Sequence, residues 1–320
     1  MAFNSIQLSG VGEPRPCVRP IHCPILKNPK LKMNSLLSKA QKIDVAKDPF
    51  PHLIVYEPIE DVTCLQLLAE YPDMNTITHG RLYSDNKRFS YSASYALSNE
   101  AISPLWKRLV QTHVSTDFLK DIVTLFDDDI RAIYPWFEDK IGKLETLRAG
   151  IRHLDNFATA DVLLDAQICI NTPVKKASSV RGVHVDLPNK LFAGLFYLKH
   201  PEDTSTGGDL NIYRFRGKRN CFQKAGVANL RNLELVKTVK YERNVFIFFL
   251  NSIEALHGVS IRSETEIPRY LFNLVGVVSE PLFDLTQYQQ PANKLLLVRD
   301  WFSSQVKVAA TLPKMVGRNL

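Results

Sequence analysis

No Cys-x-x-Cys pair occurs in the 320 residues, and the five cysteines, Cys17, Cys23, Cys64, Cys169 and Cys221, are odd in number and widely spaced. That excludes a zinc cluster built on paired thiolates and argues against a disulfide framework. No apolar run approaches the ~20 residues a helix needs to cross a bilayer. The longest, Leu191–Leu198 and Val245–Leu250, are strand-sized. Met1 to Val11 has neither a basic n-region nor a long apolar core, so no secretory signal is expected and a reducing cytoplasm is. Blocks of basic residues are missing too. The 40 Lys and Arg exceed the 33 Asp and Glu but are dispersed, which disfavours a nucleic-acid arm and leaves a mild preference for an anionic partner. Internal repeats and low-complexity blocks are absent, and 45% apolar composition is enough for a sizeable core.

The chain divides by pattern. Residues 1–45 carry Pro14, Pro16, Pro20, Pro24 and Pro29 without a sustained period, and read as an irregular extension. Residues 46–280 read as one domain, with helical support over 59–146 and a strand-rich core over about 162–280. Phe50 to Tyr56 reads as a short strand, and Ile59 to Tyr71 as a helix stopped by Pro72. Residues 73–100 are polar and read as loop. Ser103-Pro104 is a helix start, because Ser caps free N–H groups and Pro tolerates the first position. Thr116 to Ile133 carries the apolar stripe of a second long helix. From Val162 the period becomes strand-like, over Val162–Ile170, Leu191–Leu198, Asp209–Phe215, Leu233–Lys240, Asn244–Leu250 and Tyr270–Val278. This predicts an antiparallel barrel or jelly roll. Gly207-Gly208-Asp209 suits a tight turn. Residues 281–320 read as a C-terminal extension with a short helix near Lys294–Val306.

Within the strand-rich part stands His184-Val185-Asp186. In extended backbone, residues i and i+2 point to one side, so the imidazole and the carboxylate can converge. His257 follows 71 residues after Asp186, just past the apolar strand Val245–Leu250. Two histidines and one carboxylate on one face of an octahedron leave three positions open, which suits non-haem Fe(II) better than a closed zinc tetrahedron. Singly, His184 reads equally as a surface histidine bonded to Asp186, and His257 as a core histidine at a strand end. The combination, with a Gly-Gly turn between and a basic residue after, favours the metal.

Residues 165–278 resemble the Fe(II)/2-oxoglutarate-dependent oxygenases of the prolyl-hydroxylase-like type. The resemblance rests on His184-Val185-Asp186, Gly207-Gly208-Asp209-Leu210, His257-Gly258-Val259 and Pro268-Arg269-Tyr270, with Pro49 to Val55 similar to the first strand of bacterial members. It implies a mainly β, α+β fold: a double-stranded β-helix (jelly roll) core with flanking N-terminal helices. It also implies Fe(II) at His184, Asp186 and His257, 2-oxoglutarate as a chelating cosubstrate, and O2. The distal carboxylate of 2-oxoglutarate would be held by Arg269, with Arg262 as competitor. Leu271 replaces the Ser or Thr that many relatives place two residues after this Arg, so a second contact would come from Tyr197 or Asn171. Asp186 stands where halogenating relatives have Ala or Gly, and Val275 where DNA-repair dealkylases carry a second Arg. Hydroxylation is therefore the expected reaction.

Substrate identity is not encoded in these motifs. Net positive charge and the Tyr-rich stretch Leu82 to Tyr95 suit an anionic or hydroxylated small molecule or an amino-acid-like substrate, with loops 73–100 and 199–206 near the mouth. His52, His79, His113, His153 and His200 lack partner spacing and read as structural. Two rival readings are a facial-triad enzyme that does not use 2-oxoglutarate and an inert jelly-roll binding module.

Overall fold

A computed structural model describes residues 33–288, apart from positions 218, 220, 221, 225, 226 and 229. Strand β1 (His52–Tyr56) precedes a helical layer: α1 (Asp61–Ala69), α2 (Met74–Thr78), a short strand β2 (Arg88–Tyr91), then α3 (Ala93–Ser98), α4 (Pro104–His113), α5 (Thr116–Ile133) and α6 (Phe137–Lys140). Ten further strands follow. They are β3 (Ala149–Ile151), β4 (Val162–Asn171), β5 (Lys190–Tyr197), β6 (Leu210–Phe215), β7 (Phe222–Lys224), β8 (Val227–Ala228), β9 (Leu233–Val239), β10 (Val245–Leu250), β11 (His257–Val259) and β12 (Arg269–Val277).

The large sheet runs β1-β10-β5-β12-β4-β2, with β3 alongside β4, and the small sheet runs β11-β6-β9. His184 extends the small sheet through a two-way backbone bridge to His257, at 2.8 and 3.0 Å. From β4 onward the chain passes through the His184 segment, β5, β6, β9, β10, β11 and β12, crossing between the two sheets as a jelly roll does. Among the described residues the sheets stay separate and no closed barrel forms.

The large sheet is covered on both faces, which explains why its inner strands are almost continuously apolar. On β10, Phe246, Phe248 and Leu250 pack towards the helices, while Val245, Ile247 and Phe249 pack into the jelly-roll interior. The helices present matching stripes. Phe118, Leu119, Ile122, Leu125, Phe126 and Ile130 of α5 are buried, each worth roughly 1.5–3 kcal/mol relative to exposure. Ser103 and Ser115 cap α4 and α5 by accepting the N–H of Trp106 and Phe118.

Along β4 the same alternation sends Val162, Leu164, Ala166, Ile168 and Ile170 to the helical side. It leaves Asp165, Gln167, Cys169 and Asn171 facing inward. The floor of the jelly roll is therefore polar along β4, and the site lies there.

One expectation needs correction. Residues 73–100 are not all loop, because α2, β2 and α3 lie within them, and β2 completes the edge of the large sheet. The part of the 1–45 extension that is described, residues 33–45, is packed. Leu36 and Leu37 are buried, and the Leu36 N–H donates to His113 Nε2 at 3.0 Å. Residues 1–32 and the helix expected near Lys294–Val306 lie outside the described residues. Cys64 and Cys169 are buried and free, while Cys17, Cys23 and Cys221 lie outside the described residues. Among the described residues no helix is long and apolar enough to cross a membrane.

Candidate metal centre

The His184 segment and β11 are neighbours in the small sheet, and their close approach depends on Gly258. A Cβ there would stand 3.0 Å from the backbone N and Cα of Val183. With that spacing, ligand atoms of His184, Asp186 and His257 come within 4.8 Å of one another, and all three residues are buried. Among the described residues this is the one cluster of three such side chains.

Both imidazoles are tethered alike. His184 Nδ1 lies 2.8 Å from the carbonyl oxygen of Gly182, and His257 Nδ1 lies 2.9 Å from that of Ala255. A carbonyl oxygen only accepts, so each Nδ1 carries the proton and each Nε2 keeps its lone pair free. Burial lowers both imidazole pKa values, that of His184 strongly, so both rings stay neutral and able to ligate. Asp186 is held well below the usual carboxylate range. Burial alone would raise it, but the neighbouring charges, Lys190 foremost and Arg181 with it, outweigh burial. Lys190 Nζ is 3.0 Å and Arg181 Nη1 3.9 Å from Asp186 Oδ1. Two neutral nitrogen donors and one anionic oxygen are the ligand set that suits ferrous iron.

Arg269 opens β12 on the inner face, level with Asn171 on β4. It is 1% exposed, yet its Nε and Nη2 have no hydrogen-bond partner among the described residues. Its guanidinium lies against two aromatic rings, 4.9 Å from the centre of Tyr197 and 4.6 Å from that of Tyr241. The buried Tyr197 hydroxyl and both amide atoms of Asn171 are likewise unpartnered. Burying an uncompensated cation costs several kcal/mol. A cradle of one guanidinium, one phenol and one amide with open valences matches a carboxylate ligand.

Arg262 is placed otherwise. It is buried against Asp203, with Nη2 2.8 Å from Oδ2, and it also donates to Ser205 Oγ and the Ile267 carbonyl. Its charge is already neutralised, so Arg262 fits a structural role better than that of cosubstrate anchor. His52, His113 and His200 lie apart from the cluster, each bonded locally.

Sequence reasoning missed Tyr241, which lies between strands where no period signals it. It also missed Arg88, on the strand misread as loop. Phe89 and Tyr91 alternating with Arg88 and Ser90 were the available signal.

No family model matches the chain, and no curated protein matches it. Solved structures similar to it include a prolyl 4-hydroxylase from Phytophthora capsici, at 13% identity and TM-score 0.41, covering 80% of this chain and 68% of that one. A Pseudomonas putida prolyl-4-hydroxylase is 12% identical at TM-score 0.37, covering 72% and 93%. HygX from Streptomyces hygroscopicus, with nickel and 2-oxoglutarate bound, is 14% identical at TM-score 0.36, covering 71% and 82%.

Proposed function

We propose that this chain is an Fe(II)- and 2-oxoglutarate-dependent dioxygenase. It hydroxylates an unactivated C–H bond of a small molecule or an amino-acid- or peptide-type substrate and releases succinate and CO2. The observation that carries the reading is the buried, unpaired Arg269 on the inner face of a jelly roll that also brings His184, Asp186 and His257 together. A triad enzyme without 2-oxoglutarate has no need of that uncompensated guanidinium, and an inert module has no need of either feature.

Iron and 2-oxoglutarate, when bound, supply the two-electron oxidation by O2. The residues do the rest. His184 and His257 offer Nε2, their rings fixed by the carbonyls of Gly182 and Ala255. Asp186 supplies the single negative charge of the ligand set. Arg269 receives the distal carboxylate of the cosubstrate, aided by the Tyr197 hydroxyl and the Asn171 amide. Tyr241 and Tyr197 shield that ion pair from water, which strengthens it.

The test is anaerobic loading with Fe(II) followed by 2-oxoglutarate titration, observing the visible metal-to-ligand charge-transfer band. The band is expected with the natural sequence and absent from Asp186→Ala and His257→Ala. Iron binding without a band would transfer the protein to the triad enzymes that do not use 2-oxoglutarate. No iron binding would leave a jelly-roll binding module.

A further inference from the structure

Cations crowd this centre beyond what the triad and the cosubstrate use. Arg88, on edge strand β2, is paired in register with Asn171 of β4, which is itself paired with Arg269 of β12. Residues directly opposite in neighbouring strands share a face, so Arg88, Asn171 and Arg269 form one rung of the inner wall. Contacts agree with this. The next inward residue of β2, Ser90, has its Oγ 3.1 Å from the Cys169 thiol of the jelly-roll interior. Phe89 and Tyr91 pack outward, against the helical side. Among the described residues no carboxylate pairs with Arg88.

Arg181 approaches from the opposite rim, on the segment leading into His184. Its side chain is 56% exposed, and its nearest acid is Asp186, at 3.9 Å. That carboxylate already has Lys190 at 3.0 Å and is the anionic member of the triad. The two rims are stitched together. Asn86 Nδ2 donates to the carbonyl and hydroxyl oxygens of Ser178, and Asp85 accepts the N–H groups of Lys175 and Lys176. These hydrogen bonds tie the approach to β2, two residues before Arg88, to the segment that carries Arg181.

Four cations, Arg88, Arg181, Lys190 and Arg269, stand around the triad, whose one carboxylate is Asp186; the other inward acid, Asp165 on β4, is already engaged by Arg152 at 4.0 Å, by Gln167 and by the Ala93 N–H. A divalent metal and a dianionic cosubstrate cancel one another, so filling the centre leaves the excess positive charge in place. The half-buried Arg88, beside an Asn171 whose amide atoms are both unpartnered, is the part of that excess the cosubstrate cradle does not use.

Resting on the 2-oxoglutarate reading, we propose that the primary substrate carries an oxyanion, received at the mouth by Arg88 and Arg181. A carboxylate and a phosphate or sulfate ester share this chemistry, because the guanidinium fork pairs with either. The substrate would lie with its anionic group at the rim and its reacting carbon inward, towards the metal.

The test uses full-length protein held anaerobically with Fe(II) and saturating 2-oxoglutarate. Sodium sulfate and sodium propionate are titrated in separate arms at constant ionic strength, followed by calorimetry and by the charge-transfer band. Saturable binding of at least one anion is expected, weakened by about tenfold or more in Arg88→Gln and in Arg181→Gln. The affinity for 2-oxoglutarate should be unchanged in Arg88→Gln, whose side chain has no contact with the metal ligands among those described. The tighter anion identifies the substrate as a carboxylate or a tetrahedral ester. Three results would overturn the proposal: no saturable binding of either anion, binding indifferent to Arg88→Gln, or loss of 2-oxoglutarate affinity in Arg88→Gln, which would put Arg88 in the cosubstrate cradle. Absence of the band in the natural sequence is the failure of the 2-oxoglutarate reading. In that protein, anion binding lost in Arg88→Gln still supports the oxyanion site, and its absence overturns it.

Discussion

Lys190 Nζ stands 3.0 Å from Asp186 Oδ1, so the carboxylate proposed to hold iron is also the partner of a lysine four residues on. The lysine keeps the buried carboxylate ionised, but its charge also opposes a divalent cation at the same oxygen. Lys190→Met is expected to raise Mn(II) affinity by about tenfold, roughly 1.4 kcal/mol. Paramagnetic resonance of free Mn(II) in a titration measures it. Weaker binding in the variant would mean that Lys190 orients Asp186 for the metal instead of competing with it.

Arg269 and Arg262 are both buried but differ in whether an acid is present. Arg269→Met should raise the 2-oxoglutarate dissociation constant by about a hundredfold, since charge-assisted hydrogen bonds are worth ~1.5–3 kcal/mol each. Iron affinity should be preserved. Tyr197→Phe should give a smaller loss, of up to tenfold, with packing retained. Arg262→Met should behave differently, leaving Asp203 buried without its partner and costing ~3–5 kcal/mol of stability. Denaturant unfolding and cosubstrate titration of the three variants separate these roles. A specific loss of 2-oxoglutarate binding in a stable Arg262→Met protein would reverse the assignment.

The six core strands were legible because turn residues separate short runs of β-branched and aromatic residues, and the observed β4, β5, β6, β9, β10 and β12 agree with the sequence reading to within about a residue at each end. Period-two geometry put His184 and Asp186 on one side, but singled them out only together with His257, the Gly-Gly turn and Arg269. His257 was legible only in combination, because no local spacing links it to them. Arg88 was not. Its strand is four residues long, lies at an edge, and owes its inward face to register with Asn171. The ion pair that favours Arg269 over Arg262 joins residues 59 positions apart, which no local pattern encodes. Tyr241 is hidden for the same reason, since its ring reaches Arg269 from a connection between strands.

Gly258 sets the spacing of the two histidines. In Gly258→Ala the new Cβ would meet backbone atoms of Val183 at 3.0 Å, and backbone cannot swing aside as a side chain can. The His184 segment must then move off β11. Metal affinity should fall by tenfold or more, with a lower melting temperature. Gly182→Ala is the control, because a Cβ there meets nothing within 4 Å, and it should bind metal normally. Equal affinities in the two variants would show that the centre tolerates a wider strand separation.

His113 makes the packing of residues 33–45 sensitive to pH. Its ring is buried on α4, Nδ1 donates to the Leu109 carbonyl, and Nε2 accepts the Leu36 N–H. Burial lowers its pKa to about 4, against 6.5 for an exposed histidine. Between those values the unfolded chain binds the proton that the folded chain refuses, so the contribution to stability is complete above pH 6.5 and is lost as pH falls towards 4. A shift of that size corresponds to about 3 kcal/mol at most. Protonation would also take from the Leu36 N–H its acceptor, loosening the segment that follows residue 32. Urea unfolding at pH 7.5 and pH 4.5 should show a steeper loss for the natural sequence than for His113→Gln. Other buried histidines titrate equally in both proteins, so the difference isolates His113. Parallel pH profiles would show that the segment is anchored by Leu36 and Leu37 burial alone.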